Sequence, residues 1–86
     1  MEMKLDIPEY DSKEGLPLHW SPGFAIAVSG IGNEVYIKAN KAGLISLAVQ
    51  LLTLAQDDVP AGRHYHYDEH TCLEDGSKGL VLEKVK

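Results

Sequence analysis

The residues with the clearest chemical potential lie in one short segment that begins at His64. In an extended strand alternate side chains point to the same side, so His64 and His66 would share a face. Two imidazoles on one face, with a carboxylate such as Asp68 nearby, are donors that a divalent metal accepts. The sequence fixes no spacing for a third ligand, so His64 and His66 are only weak metal candidates and we expect no bound metal or other cofactor. A solvated polar face, or a face that contacts a protein partner, is the simpler interpretation.

The acidic run that follows offers a second kind of chemistry. Its carboxylates are Asp68, Glu69, Glu74 and Asp75. Two carboxylates act as general acid and general base only where a pocket separates their pKa values, whereas the dipeptide Asp75-Gly76 is typical of an exposed turn. We therefore expect a solvated loop, or one that presents negative charge to a basic partner and speeds their encounter. No catalytic residue is expected, and an enzyme is the last of the function classes that we consider.

These observations define a set of candidate partner-binding residues. Trp20 joins it because tryptophan either anchors a chain segment or, where exposed, dominates an interface. The set is His64, His66, Asp68, Glu74, Asp75 and Trp20.

Composition limits the partners. The 86 residues are 44% hydrophobic and carry a formal net charge of −5, which indicates one globular domain. A general nucleic-acid binder or an anionic-lipid binder needs clustered positive charge, so neither class is expected. The first residues lack the basic and apolar regions of a signal peptide, and the longest apolar stretch, 42–55, is too short to span a bilayer. We expect a cytoplasmic protein.

Two zones divide the chain. Residues 1–23 contain Pro8, Pro17 and Pro22, and a proline lacks the amide proton that a central strand or a helix interior requires. This zone is predicted to be an N-terminal arm with at most a short edge strand. Residues 24–86 are predicted to form a single domain.

Strand patterns occur in two pairs. Large apolar residues alternate with small ones over 24–29, a glycine-rich turn follows at 30–33, and 34–38 alternates again, which predicts a hairpin. Segments 63–68 and 79–85 predict a second pair of strands, with Tyr65 and Tyr67 on the face opposite the histidines.

A helix is predicted between the two pairs. Asn40 is a suitable N-cap, and apolar residues recur at helical spacing from Lys41 to about Asp57. The apolar arc covers about 220° of the helix, which is wider than one sheet face requires. We expect the excess to be covered by the arm, with Trp20, or by a second copy of the chain in a homodimer. The residues predicted to mark the solvent side are Ser46, Gln50, Thr53 and Asp57.

Together these elements predict an α+β fold of order ββαββ. The expected architecture is a two-layer sandwich, in which an antiparallel four-stranded sheet carries one long amphipathic helix packed on one face. The other sheet face, with His64, His66 and Tyr36, would then be open to water or to a partner.

Several stretches resemble immunity protein family 32 of bacterial polymorphic toxin systems. The likeness lies in Asn40–Ala48, in His64–Asp68, and in Leu73–Ser77 followed by Leu80–Lys84, and it extends roughly over residues 20 to 85. The resemblance implies a small cytoplasmic protein that binds and neutralises a cognate toxin and has no catalytic activity; it supplies no functional residues. The alternatives from the residues alone are a small metal- or ligand-binding module that uses His64 and His66, or a homo-oligomeric domain of another role.

Overall fold

The computed structural model describes residues 1–86 and contains one helix and four strands. In chain order they are β1 (Ile26–Ile31), β2 (Glu34–Ala39), α1 (Lys41–Leu54), β3 (His64–Tyr67) and β4 (Leu80–Glu83). The predicted α+β class and the order ββαββ are confirmed. No helix has the length and hydrophobicity that crossing a membrane requires.

The first hairpin pairs β1 with β2 along their whole lengths. Only Gly32 and Asn33 connect the strands, and Gly32 adopts a φ of 60°, which glycine reaches without a Cβ clash. The strand β1 therefore continues two residues into the segment 30–33 that the sequence predicted as turn. Ile26 and Val28 point from β1 into the core and are buried.

The second hairpin pairs β3 with β4, and its two faces differ sharply in burial. Tyr65 and Tyr67 are buried, whereas His64 and His66 are exposed, so the predicted alternation is confirmed. Leu82 lies opposite Tyr65 and Leu80 lies opposite Tyr67, which completes an apolar inner face.

The expected four-stranded sheet is not present, because the two hairpins form separate two-stranded antiparallel sheets. The segment 74–78 occupies the edge of β1 where a third strand would lie. It does so through three hydrogen bonds: Glu74 N to Ile26 O (2.9 Å), Lys78 N to Val28 O (2.9 Å) and Val28 N to Ser77 Oγ (3.1 Å). Because the turn at Gly76 interrupts this segment, with a φ of 83°, β4 begins only at Leu80 and does not pair with β1.

The helix begins as predicted and lies very close to β1. The side chain of Asn40 accepts a hydrogen bond from the Gly43 amide at 2.8 Å, which confirms Asn40 as the N-cap. A Cβ placed on Gly43 would lie 2.7 Å from the Ala25 carbonyl oxygen and 2.8 Å from Ile26 Cγ1, so glycine allows the backbones to approach. The helix ends at Leu54, three residues before the predicted end at Asp57.

The orientation of the helix reverses the sequence prediction for three of the four residues that were expected to face solvent; the fourth, Asp57, is exposed. Ser46, Gln50 and Thr53, predicted to face solvent, are only 2%, 1% and 1% exposed. Three leucines of the predicted apolar arc instead keep about half of their surface in water: Leu44 at 55%, Leu51 at 51% and Leu52 at 48%. The buried side of the helix thus combines these three polar residues with Gly43, Leu47 and Leu54.

The backbone of the N-terminal arm explains this reversal. Residues 1–23 contain no strand, only an isolated bridge between Asp11 and Gly15, so most of their peptide groups lack a sheet partner. Buried peptide groups need hydrogen bonds, and two polar residues of the helix together with Gln56, just beyond its end, supply them. The bonds are Gln56 Nε2 to Pro8 O (2.8 Å), Tyr10 N to Gln56 Oε1 (3.3 Å), Gln50 Nε2 to His19 O (3.0 Å) and Ser21 N to Ser46 Oγ (2.8 Å).

The arm also contributes side chains to the core. Tyr10 belongs to the buried cluster, and Leu16 and Trp20 pack against it. The Trp20 ring stacks on Phe24, with ring centroids 4.4 Å apart. The arm thus covers the polar side of the helix, and it reaches the apolar arc, which the sequence expected it to cover, through Met3 beside Leu44 and Ile45.

Candidate binding surface

The outward face of the second hairpin forms a mixed surface that we call the histidine surface. The strand register places Glu83 opposite His64 and Val81 opposite His66, and all four side chains are exposed. The surface thus combines one apolar side chain with three polar or ionisable ones, a composition compatible with a protein contact.

The two inward tyrosines fix which side chains face out. The Tyr67 hydroxyl donates a hydrogen bond to Gln50 Oε1, and the Tyr65 hydroxyl donates one to the Pro17 carbonyl oxygen at 2.5 Å. Burial raises the pKa of Tyr67 strongly, and nearby Tyr65 and Cys72 raise it further, so the hydroxyl keeps its proton and remains a donor. Burial also raises the pKa of Tyr65, although a hydrogen bond with Thr53 partly offsets this effect. With both rings held inward, His64 and His66 have to point outward.

The two histidines have few partners within the chain. His64 Nδ1 lies 3.2 Å from the Gly62 carbonyl oxygen, and the His66 ring lies beside Gly79. No group of three or more histidine, cysteine, aspartate or glutamate side chains lies close enough to hold a metal ion.

Asp68 shapes the loop that follows β3. Its carboxylate accepts hydrogen bonds from the His70 amide and the Thr71 hydroxyl, each at 3.0 Å. The bond from Thr71 is the largest cause of a lowered pKa at Asp68, and the His70 amide and the nearby histidines act in the same direction. The carboxylate therefore stays ionised at neutral pH while it holds the turn in place.

Glu74 and Asp75 lie in the same loop and are exposed. The Glu74 amide donates to β1, which fixes the loop against the first hairpin. Glu69, a residue outside the predicted set, ties the two halves of the loop together because its Oε2 accepts a hydrogen bond from the Gly76 amide at 2.7 Å. The loop 68–77, here called the acidic loop, contains four carboxylates and no lysine or arginine.

Trp20 is not part of this surface. It is half-buried, and its ring meets Tyr67 edge-on with ring centroids 5.8 Å apart, so it lies behind the inner face of the second hairpin. Tyr36 is also separate, because it belongs to the first hairpin. The structure thus places His64 and His66 on one face, with Glu74 and Asp75 in the loop that joins β3 to β4, and keeps Trp20 behind that face.

The alternation in residues 79–85 contains a signal that the sequence analysis did not use. Val81 lies between Leu80 and Leu82 in the strand. Because side chains alternate along a strand, Val81 points away from the two leucines and toward the face that contains the histidines. It also lines a shallow groove with Leu51 of the helix and with Ala55, the residue that caps the helix end. Val81 is therefore the point at which the histidine surface meets the exposed side of α1.

Comparison with known proteins supplies one match. The family model described as Immunity protein 32 matches residues 34–85, which include β2, α1 and the whole second hairpin. No curated protein and no solved structure matches the chain. Since the family model matches more than half of the chain, this protein belongs to the Immunity protein 32 family.

Proposed function

We propose that this protein neutralises a cognate bacterial toxin by binding it stoichiometrically, with no chemical reaction of its own. Membership of the Immunity protein 32 family is the observation that carries the proposal. The matched residues include every strand residue of the histidine surface and all of the acidic loop.

The histidine surface and the acidic loop are the proposed contact region. His64 and His66 offer flat rings that can both donate and accept hydrogen bonds, and Val81 adds an apolar centre. In this proposal Glu74 and Asp75 attract a basic partner during the encounter. Asp68 and Trp20 support the region from behind, Asp68 by holding the loop and Trp20 by packing on Tyr67.

The first experiment identifies the partner and tests its toxicity. The tagged protein is used to retain partners from a lysate of its native source, and the retained protein is then expressed alone in a bacterial host. We expect expression of that partner to arrest growth and co-expression of this chain to restore it. A retained protein that is harmless alone, or whose toxicity this chain does not relieve, contradicts the proposal.

A pair of variants then tests the contact region. His64→Ala/His66→Ala should weaken toxin binding by about tenfold or more, since truncation of central contacts has effects of this size. Tyr36→Ala removes an exposed aromatic ring from the other hairpin and should change affinity by less than about twofold. Equal effects of the two changes would place the contact elsewhere.

Charge reversal tests the role of the acidic loop. Glu74→Lys/Asp75→Lys should slow association by about tenfold at low salt, with a much smaller effect at high salt, because screening removes long-range attraction. Glu2→Lys/Asp6→Lys makes the same change of net charge in the arm and is the matched control. If both variants slow association equally, the net charge of the protein determines the association rate and the acidic loop makes no specific contribution.

A further inference from the structure

The exposed side of α1 has a symmetric sequence. Its residues, which we call the outer helix face, are the exposed Leu44, Leu51 and Leu52 and the half-buried Ile45 and Ala48. Met3 of the arm lies beside Leu44, Ile45 and Ala48, and its own side chain remains exposed. Leucines stand four positions before and after Ala48, and the large apolar residues Ile45 and Leu51 stand three positions before and after it. The smallest side chain thus lies at the centre, where an i±4 row and an i±3 row of apolar side chains cross.

The pattern of large and small residues on this face is the same in both directions along the helix. The face therefore matches a second copy of itself that runs antiparallel. In a twofold pair, residue i of one subunit contacts residue j of the other, and residue j contacts residue i. Leu44 would meet the partner's Leu52, Ile45 would meet the partner's Leu51, and the two Ala48 residues would meet at the axis. The small alanine lets the helices approach closely at that point.

The charges around this face favour the same arrangement. No charged residue occurs from 42 to 56, Lys41 lies at the start of the helix, and Asp57 and Asp58 lie just beyond its end. These placements are unfavourable in a single helix, because the N-terminus carries partial positive charge and the C-terminus partial negative charge. The first turn has no acid to compensate, and the last turn has no base. At the C-terminal end only Lys84 helps, by donating to the Gln56 carbonyl oxygen at 2.6 Å.

An antiparallel pair removes both unfavourable placements. The positive end of one helix, with Lys41, would lie beside the negative end of the other, with the partner's Asp57 and Asp58. All three side chains are exposed and none forms an ion pair within its own chain. Charge complementarity at the two ends thus accompanies the apolar match in the middle.

We propose that two copies of this chain associate through the outer helix face, with their α1 helices antiparallel and related by a twofold axis at Ala48. One face of a 14-residue helix is small beside the ~800 Å² per subunit that standard stable interfaces bury, so we expect the dimer to dissociate on dilution. Light scattering or sedimentation over a concentration series should show a rise from the 9.4 kDa chain mass toward twice that value. A monomer mass at every concentration overturns the proposal.

Disulfide trapping tests the geometry. In a Cys72→Ser background, Ala48→Cys should form a disulfide-linked dimer rapidly under mild oxidation, because the two positions meet at the axis. Leu44→Cys should not link to itself, since the two copies of residue 44 lie about 12 Å apart along antiparallel helices, but it should link to Leu52→Cys when the two variants are mixed. Efficient linking of Leu44→Cys to itself would indicate parallel helices and would refute the arrangement.

Exchange of the end charges provides an independent test. Lys41→Glu alone, and Asp57→Lys/Asp58→Lys alone, should each weaken self-association by about tenfold, because like charges then meet at both ends of the pair. A mixture of the two variants should form a heterodimer with affinity restored to within about twofold of the parent. Failure of the mixture to recover overturns the antiparallel pairing even if the parent chain is dimeric.

The outer helix face is also accessible to a different protein. One double variant distinguishes binding of the toxin at this face from binding of a second copy of the chain. Leu44→Glu/Leu52→Glu should abolish self-association and leave toxin binding by the histidine surface unchanged. If this variant loses toxin binding while the parent chain is monomeric, the face belongs to the toxin and not to a second copy.

Discussion

At the level of single residues, Gln50 shows how a polar side chain can organise a small core. It is almost fully buried, donates to the His19 carbonyl oxygen of the arm and accepts from the Tyr67 hydroxyl of β3. One side chain of α1 therefore joins three parts of the chain. A typical hydrogen bond adds only about 1 kcal/mol to the free energy of unfolding, but a buried group left without its partner costs about 1–3 kcal/mol. Because an unpaired buried group costs more than a hydrogen bond contributes, the polar contacts of the helix favour this arrangement of the arm, α1 and β3 over others.

For this reason, replacement of tyrosine by phenylalanine should change the free energy of unfolding differently at positions 67 and 10. Tyr67→Phe leaves Gln50 Oε1 without its donor and should lower the free energy of unfolding by about 1–3 kcal/mol. Tyr10→Phe removes a buried hydroxyl that has no hydrogen-bond partner, so the free energy of unfolding should stay the same or rise. Urea denaturation followed by the fluorescence of the single tryptophan, Trp20, measures both. Equal losses in the two variants would contradict this account of the Gln50 contact.

At the level of elements, the close approach of α1 to β1 depends on one glycine. Alanine is ordinarily better than glycine within a helix by about 1 kcal/mol. At Gly43 the added methyl group would collide with the backbone of Ala25, so Gly43→Ala should instead destabilise the protein by about 1–3 kcal/mol.

A second glycine provides the control for this substitution. A Cβ on Gly79 would find its nearest neighbour, the Tyr67 carbonyl oxygen, at 3.7 Å, which is an ordinary contact distance. Gly79→Ala should therefore change the melting temperature little. If thermal denaturation shows Gly43→Ala to be as stable as Gly79→Ala, the tight packing of α1 on β1 is wrong.

Local signals in the sequence predicted the elements well but not the way they pack. The Asn40 cap and the alternation in β1, β2 and β3 reflect interactions between near neighbours, which a sequence pattern contains. The division into two sheets involves contacts between distant residues, such as the hydrogen bond that the Val28 amide donates to the Ser77 hydroxyl 49 positions away. No pattern within one segment carries that information.

The prediction of how α1 is oriented was wrong for a related reason. A wide apolar arc ordinarily faces the core, so Ser46, Gln50 and Thr53 were assigned to solvent. The arm overrides this preference because its irregular backbone requires hydrogen-bond partners that leucines cannot provide. On the candidate site, the alternation correctly placed His64 and His66 on one exposed face, whereas the position of Trp20 depended on tertiary contacts with Phe24 and Tyr67.

At the level of the whole molecule, the arm completes the core of a very small protein. Tyr10, Leu16 and Trp20 pack in or against the buried cluster, and the polar side of α1 depends on arm backbone groups. A chain of 86 residues has a thin margin of stability, because it buries a smaller share of its surface than a larger domain does.

Removal of the arm should therefore abolish folding. A chain that starts at residue 24 leaves Gln50 and Gln56 without their arm partners and exposes the inner tyrosines, so we expect no cooperative thermal transition by circular dichroism. Removal of residues 1–3 alone, which are exposed, should leave the transition in place. A cooperative transition in residues 24–86 would show instead that this part is an independent domain.

The bond between the Tyr65 hydroxyl and the Pro17 carbonyl oxygen joins residues 48 positions apart, and this separation matters while the protein is being made. At the usual 5–20 residues per second, a ribosome needs roughly 2–10 s to extend the chain from Pro17 to Tyr65. During that time the second hairpin is incomplete, so Tyr65 and Tyr67 cannot yet pack on the arm and on α1. We therefore expect the unfinished chain to expose apolar surface that the finished protein buries, until the last strand has left the ribosome.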